Sequence, residues 1–240
     1  MAILAACCAF FFTLLGGFAS IRFRGKLQLI LGFTAGVLLG LVALDVLPEI
    51  MGMVQRTGAN PRTPMLALIG GFLLFHVLEK SILVHHSSEG SYEEHRHPDV
   101  GLLSALGLTA HSFLDGIGIG LGFSISSPVG ILIAVGVISH DFADGLNTGS
   151  LMLVHKNTIN RTWALVLADA AAPVLGAWVT RFFSLPDWAL LIYLGFFAGF
   201  LLYVGIAEIL IEAHRDGSSL RTVGMTILGV LFMFAVSHIV

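Results

Sequence analysis

Along the chain, long apolar runs alternate with short polar breaks. Eight runs can be read, at 2–19, 27–50, 64–84, 100–123, 128–153, 162–184, 187–211 and 219–239. An α-helix rises about 1.5 Å per residue, so runs of this length match a bilayer core roughly 30 Å thick. The pattern predicts an all-α polytopic membrane protein, with eight transmembrane helices forming a single domain over 1–240. The longest polar break, 85–99, holds His85, His86, Glu89, Glu93, Glu94, His95 and His97. Such a stretch either binds metal loosely or is simply a solvated loop.

Composition agrees with the pattern. The chain is 56% hydrophobic and 11% charged, against about 25% charged for a soluble domain, and its mean hydropathy is +0.93. A net charge of −3 gives no reason to expect nucleic acid. The first run has no basic residue before it, and Arg22, Arg24 and Lys26 follow it. A secretory signal has the reverse order, so a retained helix with its N-terminus outside is expected. Adjacent Cys7 and Cys8 read as small packing residues. Of the Lys and Arg residues, nine fall on the side of the odd-numbered loops and three (Arg56, Arg62 and Arg181) on the other. By the positive-inside rule, the odd loops are cytoplasmic and both termini are outside.

Self-comparison adds an internal symmetry. Residues 31–50 (LGFTAGVLLGLVALDVLPEI) align without a gap on 194–213 (LGFFAGFLLYVGIAEILIEA), with nine of twenty positions identical and Asp45 falling on Glu208. The two runs point in opposite directions, which is the mark of an inverted repeat and of transporters. Residues 107–120 (GLTAHSFLDGIGIG) match 136–149 (GVISHDFADGLNTG) at six of fourteen positions. A 3+2+3 arrangement follows, with runs 1–3 against 6–8 and runs 4 and 5 as the central pair.

The second repeat carries the chemistry. Residues four apart share a helix face, so His111 with Asp115 and His140 with Asp144 can each point at one site. Asp141 borders that face and Asn147 returns to it. An Asp at the centre of a membrane helix is unfavourable by about 2.5–3.5 kcal/mol on insertion scales. Neither run contains a Lys or Arg to neutralise Asp115, Asp141 and Asp144. A divalent cation is the economical partner, ahead of a proton relay or plain structural hydrogen bonding. Imidazole with carboxylate and no thiolate suits zinc, iron, manganese, cobalt or cadmium rather than Cu(I).

The segments His111-Ser-Phe-Leu-Asp115-Gly116 and His140-Asp-Phe-Ala-Asp144-Gly145 resemble the paired signatures of the ZIP family of zinc and iron transporters, close to H-N-x-P-E-G and H/Q-E/D-x-P-E-G. The resemblance extends over essentially the whole chain and is to the bacterial type. It implies a central site that is often binuclear, with His111, Asp115, His140 and Asp144 at the first metal. Ser112, Asp115, Asp141 and Asp144 would serve the second, with Asp115 and Asp144 bridging. The chain departs from the family at three points. Both motif Glu residues are Asp, the motif Asn is Ser112, and Ala172-Pro173 stands where a Glu-Pro is usual. Asp169, three residues before Ala172, is a substitute ligand on a neighbouring part of that face. One metal is therefore the expectation rather than two.

The longer repeat places Asp45 and Glu49 towards the outer mouth and Glu208 and Glu212 towards the inner one. Glu208 with His76 and Glu79 would form an inner relay, as the family resemblance implies. The expected function is movement of a divalent metal, zinc foremost, into the cytoplasm by alternating access, in the cell (inner) membrane. No separate cofactor is expected beyond the transported ion. No nucleotide-binding G-x-x-x-x-G-K-[ST] is present. The competing reading is an intramembrane metal-dependent hydrolase, for which Ser104, Ser112 and Ser139 form no convincing nucleophile and base grouping. A homodimer is left open as a partner arrangement.

Overall fold

The computed structural model describes residues 1–22, 28–87, 98–214 and 219–239. Among these the chain is helical, with no strand. The helices are α1 (Ala2–Arg22), α2 (Gln28–Thr57), α3 (Arg62–Ser87), α4 (Pro98–Ile125), α5 (Ser127–Val154), α6 (Ile159–Phe182, its last turn a 3₁₀ turn), α7 (187–213) and α8 (Leu220–Ile239). Seven are long and apolar enough to cross a membrane; in α3 the apolar part is the shorter Arg62–Leu78.

Local chemistry sets several ends. Ser126 accepts a hydrogen bond from the Val129 amide at 3.3 Å, with Pro128 in the first turn, so α5 starts one residue after α4 stops and runs antiparallel to it. Thr158 caps α6 in the same way. Helix α2 continues two turns past the apolar run, because nothing in the polar sequence after Ile50 forbids helix until Gly58. Gly58 takes a left-handed conformation, φ 67°.

The protein is apolar outside and polar inside. Leu4, Phe11, Leu66, Ile69, Ile227 and Leu231 are exposed, while His111, Asp115, His140, Asp141, Asp144 and Asp169 are buried. That inversion suits lipid as the surrounding solvent. Trp178, Phe182 and Trp188 are exposed around the α6–α7 turn, where a membrane interface would place aromatic rings. The protein is an integral, multi-pass membrane protein.

Helices α1, α4, α5 and α6 pack on one another; α2 packs on α8 and α7, and α7 on α3. The two sets meet chiefly where α2 crosses α5. Glycines set the closest crossings. A Cβ at Gly145 would collide with the Thr13 carbonyl and one at Gly16 with the Phe142 carbonyl, so α1 and α5 touch backbone to backbone. On the other flank, Gly116 lies under the Pro173 carbonyl and Gly176 under that of Phe113. Gly116 and Phe113 are the 29-residue partners of Gly145 and Phe142. The longer repeat behaves likewise: Gly229 of α8 lies under the Phe33 carbonyl, and Gly71 of α3 under that of its partner Phe196. Both copies of the longer repeat also carry a π-helical insertion, at Val42–Val46 in α2 and Tyr203–Leu210 in α7. These enclose Asp45 and Glu208.

Candidate metal centre

The α4–α5 crossing brings four side chains to one point. His111 Nε2 lies 3.2 Å from Asp115 Oδ2 and 3.5 Å from Asp144 Oδ2. His140 Nε2 lies 3.4 Å from Asp115 Oδ2 and 3.5 Å from Asp144 Oδ2. One ligand atom from each residue lies within 4.8 Å of all the others. A tetrahedral ion with N and O ligands at about 2.0–2.1 Å has ligand–ligand edges of roughly 3.3–3.4 Å. The four N···O separations lie close to that value.

Each element contributes for a physical reason. The i,i+4 spacing puts His and Asp on one face of each helix. Gly116 and Gly145 follow the two carboxylates and draw α6 and α1 tightly over them. The His140 Nδ1–H donates to the Gly136 carbonyl at 3.0 Å, which turns the Nε2 lone pair towards the centre. Such outer hydrogen bonds are how proteins fix the tautomer of a metal-binding imidazole. The His111 ring is held by edge-to-face packing, 4.4 Å from Phe200 and 6.4 Å from Phe75 between centroids. Three buried atoms of the cluster lack a hydrogen-bond partner: His111 Nε2, Asp115 Oδ1 and Asp144 Oδ2. Buried polar groups are normally paired. Of these, His111 Nε2 and Asp144 Oδ2 face each other inside the cluster, which suits a cation and fits a divalent ion bound as cargo.

Beside the centre is a second polar group. Asp169 of α6 accepts hydrogen bonds from Ser112 Oγ at 2.7 Å and Thr148 Oγ1 at 2.8 Å. Asp169 and Ser112 therefore face each other and join α4, α5 and α6. Asp141 is fully buried, and both its carboxylate oxygens are unpartnered. Asn147 is half-buried and outside the four-residue cluster. Thr148 escaped the sequence reading, although it continues the His140, Asp144 stripe by one more turn. Tyr193 of α7 escaped too; its hydroxyl donates to the Leu114 carbonyl at 3.2 Å.

The expected pathway residues are spread along α2, α3 and α7. Asp45 is half-buried with Oδ2 unpartnered, and Glu49 pairs with Arg56 at 2.7 Å. His76 is exposed and lies edge-on to Tyr203, 5.8 Å between centroids. Glu79, His85, His86, Glu208 and Glu212 lie on α3 and α7, with their side chains outside the described residues. His95 and His97 lie outside the described residues altogether.

A model of the ZIP zinc transporter family matches residues 78–237, about two thirds of the chain, including both histidine motifs. The chain belongs to the ZIP zinc transporter family. No match was found among curated protein sequences. Membership in ZIP implies divalent-metal transport. In this ZIP protein the buried His/Asp cluster is the feature that fits a metal site.

Proposed function

We propose that this ZIP protein moves a divalent transition metal, zinc foremost and also iron, manganese, cobalt or cadmium, into the cytoplasm by alternating access. The observation that carries the reading is the buried cluster of His111, Asp115, His140 and Asp144, whose four His–Asp N···O separations run from 3.2 to 3.5 Å. These four hold the metal. Ser112, Asp141 and Asp169 flank the ion. Asp45 and Glu49 line the outer approach, and His76, Glu79, Glu208 and Glu212 the inner one, with Asn147 beside the path.

The architecture in this reading is one domain over 1–240, with eight spans in a 3+2+3 inverted repeat and both termini outside the cell membrane. The glycine crossings at repeat-related positions and the paired π insertions support it. So does the packing of α1, α4, α5 and α6 apart from α2, α3, α7 and α8, since two bodies that rock against each other need a seam. The α2–α5 contact is that seam. Leu41 of α2 fills the notch at Gly136, one turn short of His140, and both Leu41 and Val137 are fully buried. In this reading the Leu41–Gly136 packing lies on the outer side of the ion. Of the hydrolase reading's candidate serines, Ser139 donates to the Val135 carbonyl, which is no general base.

The test is zinc uptake into proteoliposomes by this protein and by Asp144→Ala. Uptake by the parent and its loss in the variant are expected. Equal flux in both would remove the site assignment, and no divalent flux in a folded parent would remove the transport reading.

A further inference from the structure

A cavity of about 340 Å³ opens between α2 and α5. Asp45, Glu49, Gly52 and Arg56 of α2 form one wall, and Val129, Leu132 and Ile133 of α5 face them. Ile133 is two turns of α5 before His140, so the cavity lies above the central site, beyond the Leu41–Gly136 contact. Its charges all come from α2. Arg56 reaches back two turns and donates from Nη2 to Glu49 Oε1 at 2.7 Å. Gly52 lies between them; a Cβ there would stand 3.5 Å from Arg56 Nη1, so the guanidinium lies flat along the helix over the glycine. One turn deeper than Glu49 is Asp45, with Oδ2 unpartnered.

We propose that Arg56 is a specificity-setting residue at the outer mouth: a tethered cation that competes with incoming metal for Glu49. The inference rests on the transport reading above and adds a residue to it. The Arg56 side chain is 63% exposed and that of Glu49 20%, and exposed ion pairs of this kind are weak and exchange readily. The guanidinium therefore cannot seal the mouth. It sets how much free metal is needed before a divalent ion takes Glu49 and passes to Asp45. Monovalent ions, with half the charge, displace it less well, so the pair raises the threshold for weakly binding cations most.

The experiment is the zinc dependence of uptake in proteoliposomes for the parent, Arg56→Gln, Glu49→Gln, the double variant and Asp144→Ala. Arg56→Gln should lower the KM about two- to fivefold, the factor to which a pair of this class converts. A misfolded variant would not gain apparent affinity. In the Glu49→Gln background the same substitution should leave the KM unchanged, because the competitor has nothing left to hold. An unchanged KM for Arg56→Gln overturns the proposal. So does an equal fall in both backgrounds, which would make Arg56 a diffuse surface charge. Either result with zinc flux in the parent leaves the transport reading standing; full flux through Asp144→Ala would remove the central-site assignment, and no zinc flux in the folded parent the transport reading.

Discussion

Asp115 and Asp144 each stand between both histidines, so neither belongs to one helix's half of the site. Replacing Asp115 by Asn keeps the shape and removes the charge. Zinc affinity should then fall by more than the ~10–100-fold typical of a supporting residue, as titration calorimetry would read. Thr148 acts at one remove. Thr148→Val leaves Asp169 Oδ2 buried without its donor, at a cost of about 1–3 kcal/mol. Thr148→Ser should be near neutral in detergent melting, and equal melting of Val and Ser variants would contradict the assigned bond. The His-x-x-x-Asp pairs were legible in the sequence because helical spacing alone makes them neighbours. The bond between Asp169 and Thr148 was not legible, because it joins α5 to α6 and its distance depends on how deeply Gly116 and Gly145 let the helices sink. The ion pair of Glu49 and Arg56 lay within one helix, yet its seven-residue span is not the i,i+3 or i,i+4 spacing that marks helical neighbours.

Among the elements, the glycine crossings are the most exacting. Gly145 leaves no room for a side chain under the Thr13 carbonyl. Gly145→Leu must therefore separate α1 from α5 and move Asp144 with it, at or above the ~1–3 kcal/mol of ordinary overpacking. Gly107 of α4 has open space where its Cβ would go. Gly107→Ala should be tolerated or slightly stabilising, as Ala is the better helix former. Monodispersity in detergent would separate the two; equal yields would show that the crossing is not close. Helix positions followed the apolar runs, since lipid imposes length and hydropathy together. The π insertions did not show in those runs. One extra residue in a turn changes neither length nor hydropathy, yet it re-aims the residues around Asp45 and Glu208, and such insertions recur at functional sites.

At the scale of the whole molecule, repeat-related segments make matching crossings on opposite flanks of the α4–α5 pair. If the pseudo-symmetry is inverted across the membrane, Cys at position 49 should react with an impermeant thiol reagent from outside and Cys at position 212 from inside. The opposite pattern would overturn the orientation drawn from Lys and Arg. The sequence repeat pointed to this symmetry through shared residues such as Phe33 and Phe196. It could not say which helices those residues touch, because partner choice between apolar helices is decided by surface fit rather than by hydropathy.

If the His111, Asp115, His140 and Asp144 cluster holds the transported metal, X-ray absorption at the zinc edge of the purified, zinc-loaded protein will show it. The expected spectrum has a shell of nitrogen and oxygen at about 2.0–2.1 Å with the multiple scattering of two imidazoles, and that signature is lost in His111→Ala and His140→Ala. A zinc spectrum without imidazole, or one unchanged in both variants, would exclude these four residues as the ligands.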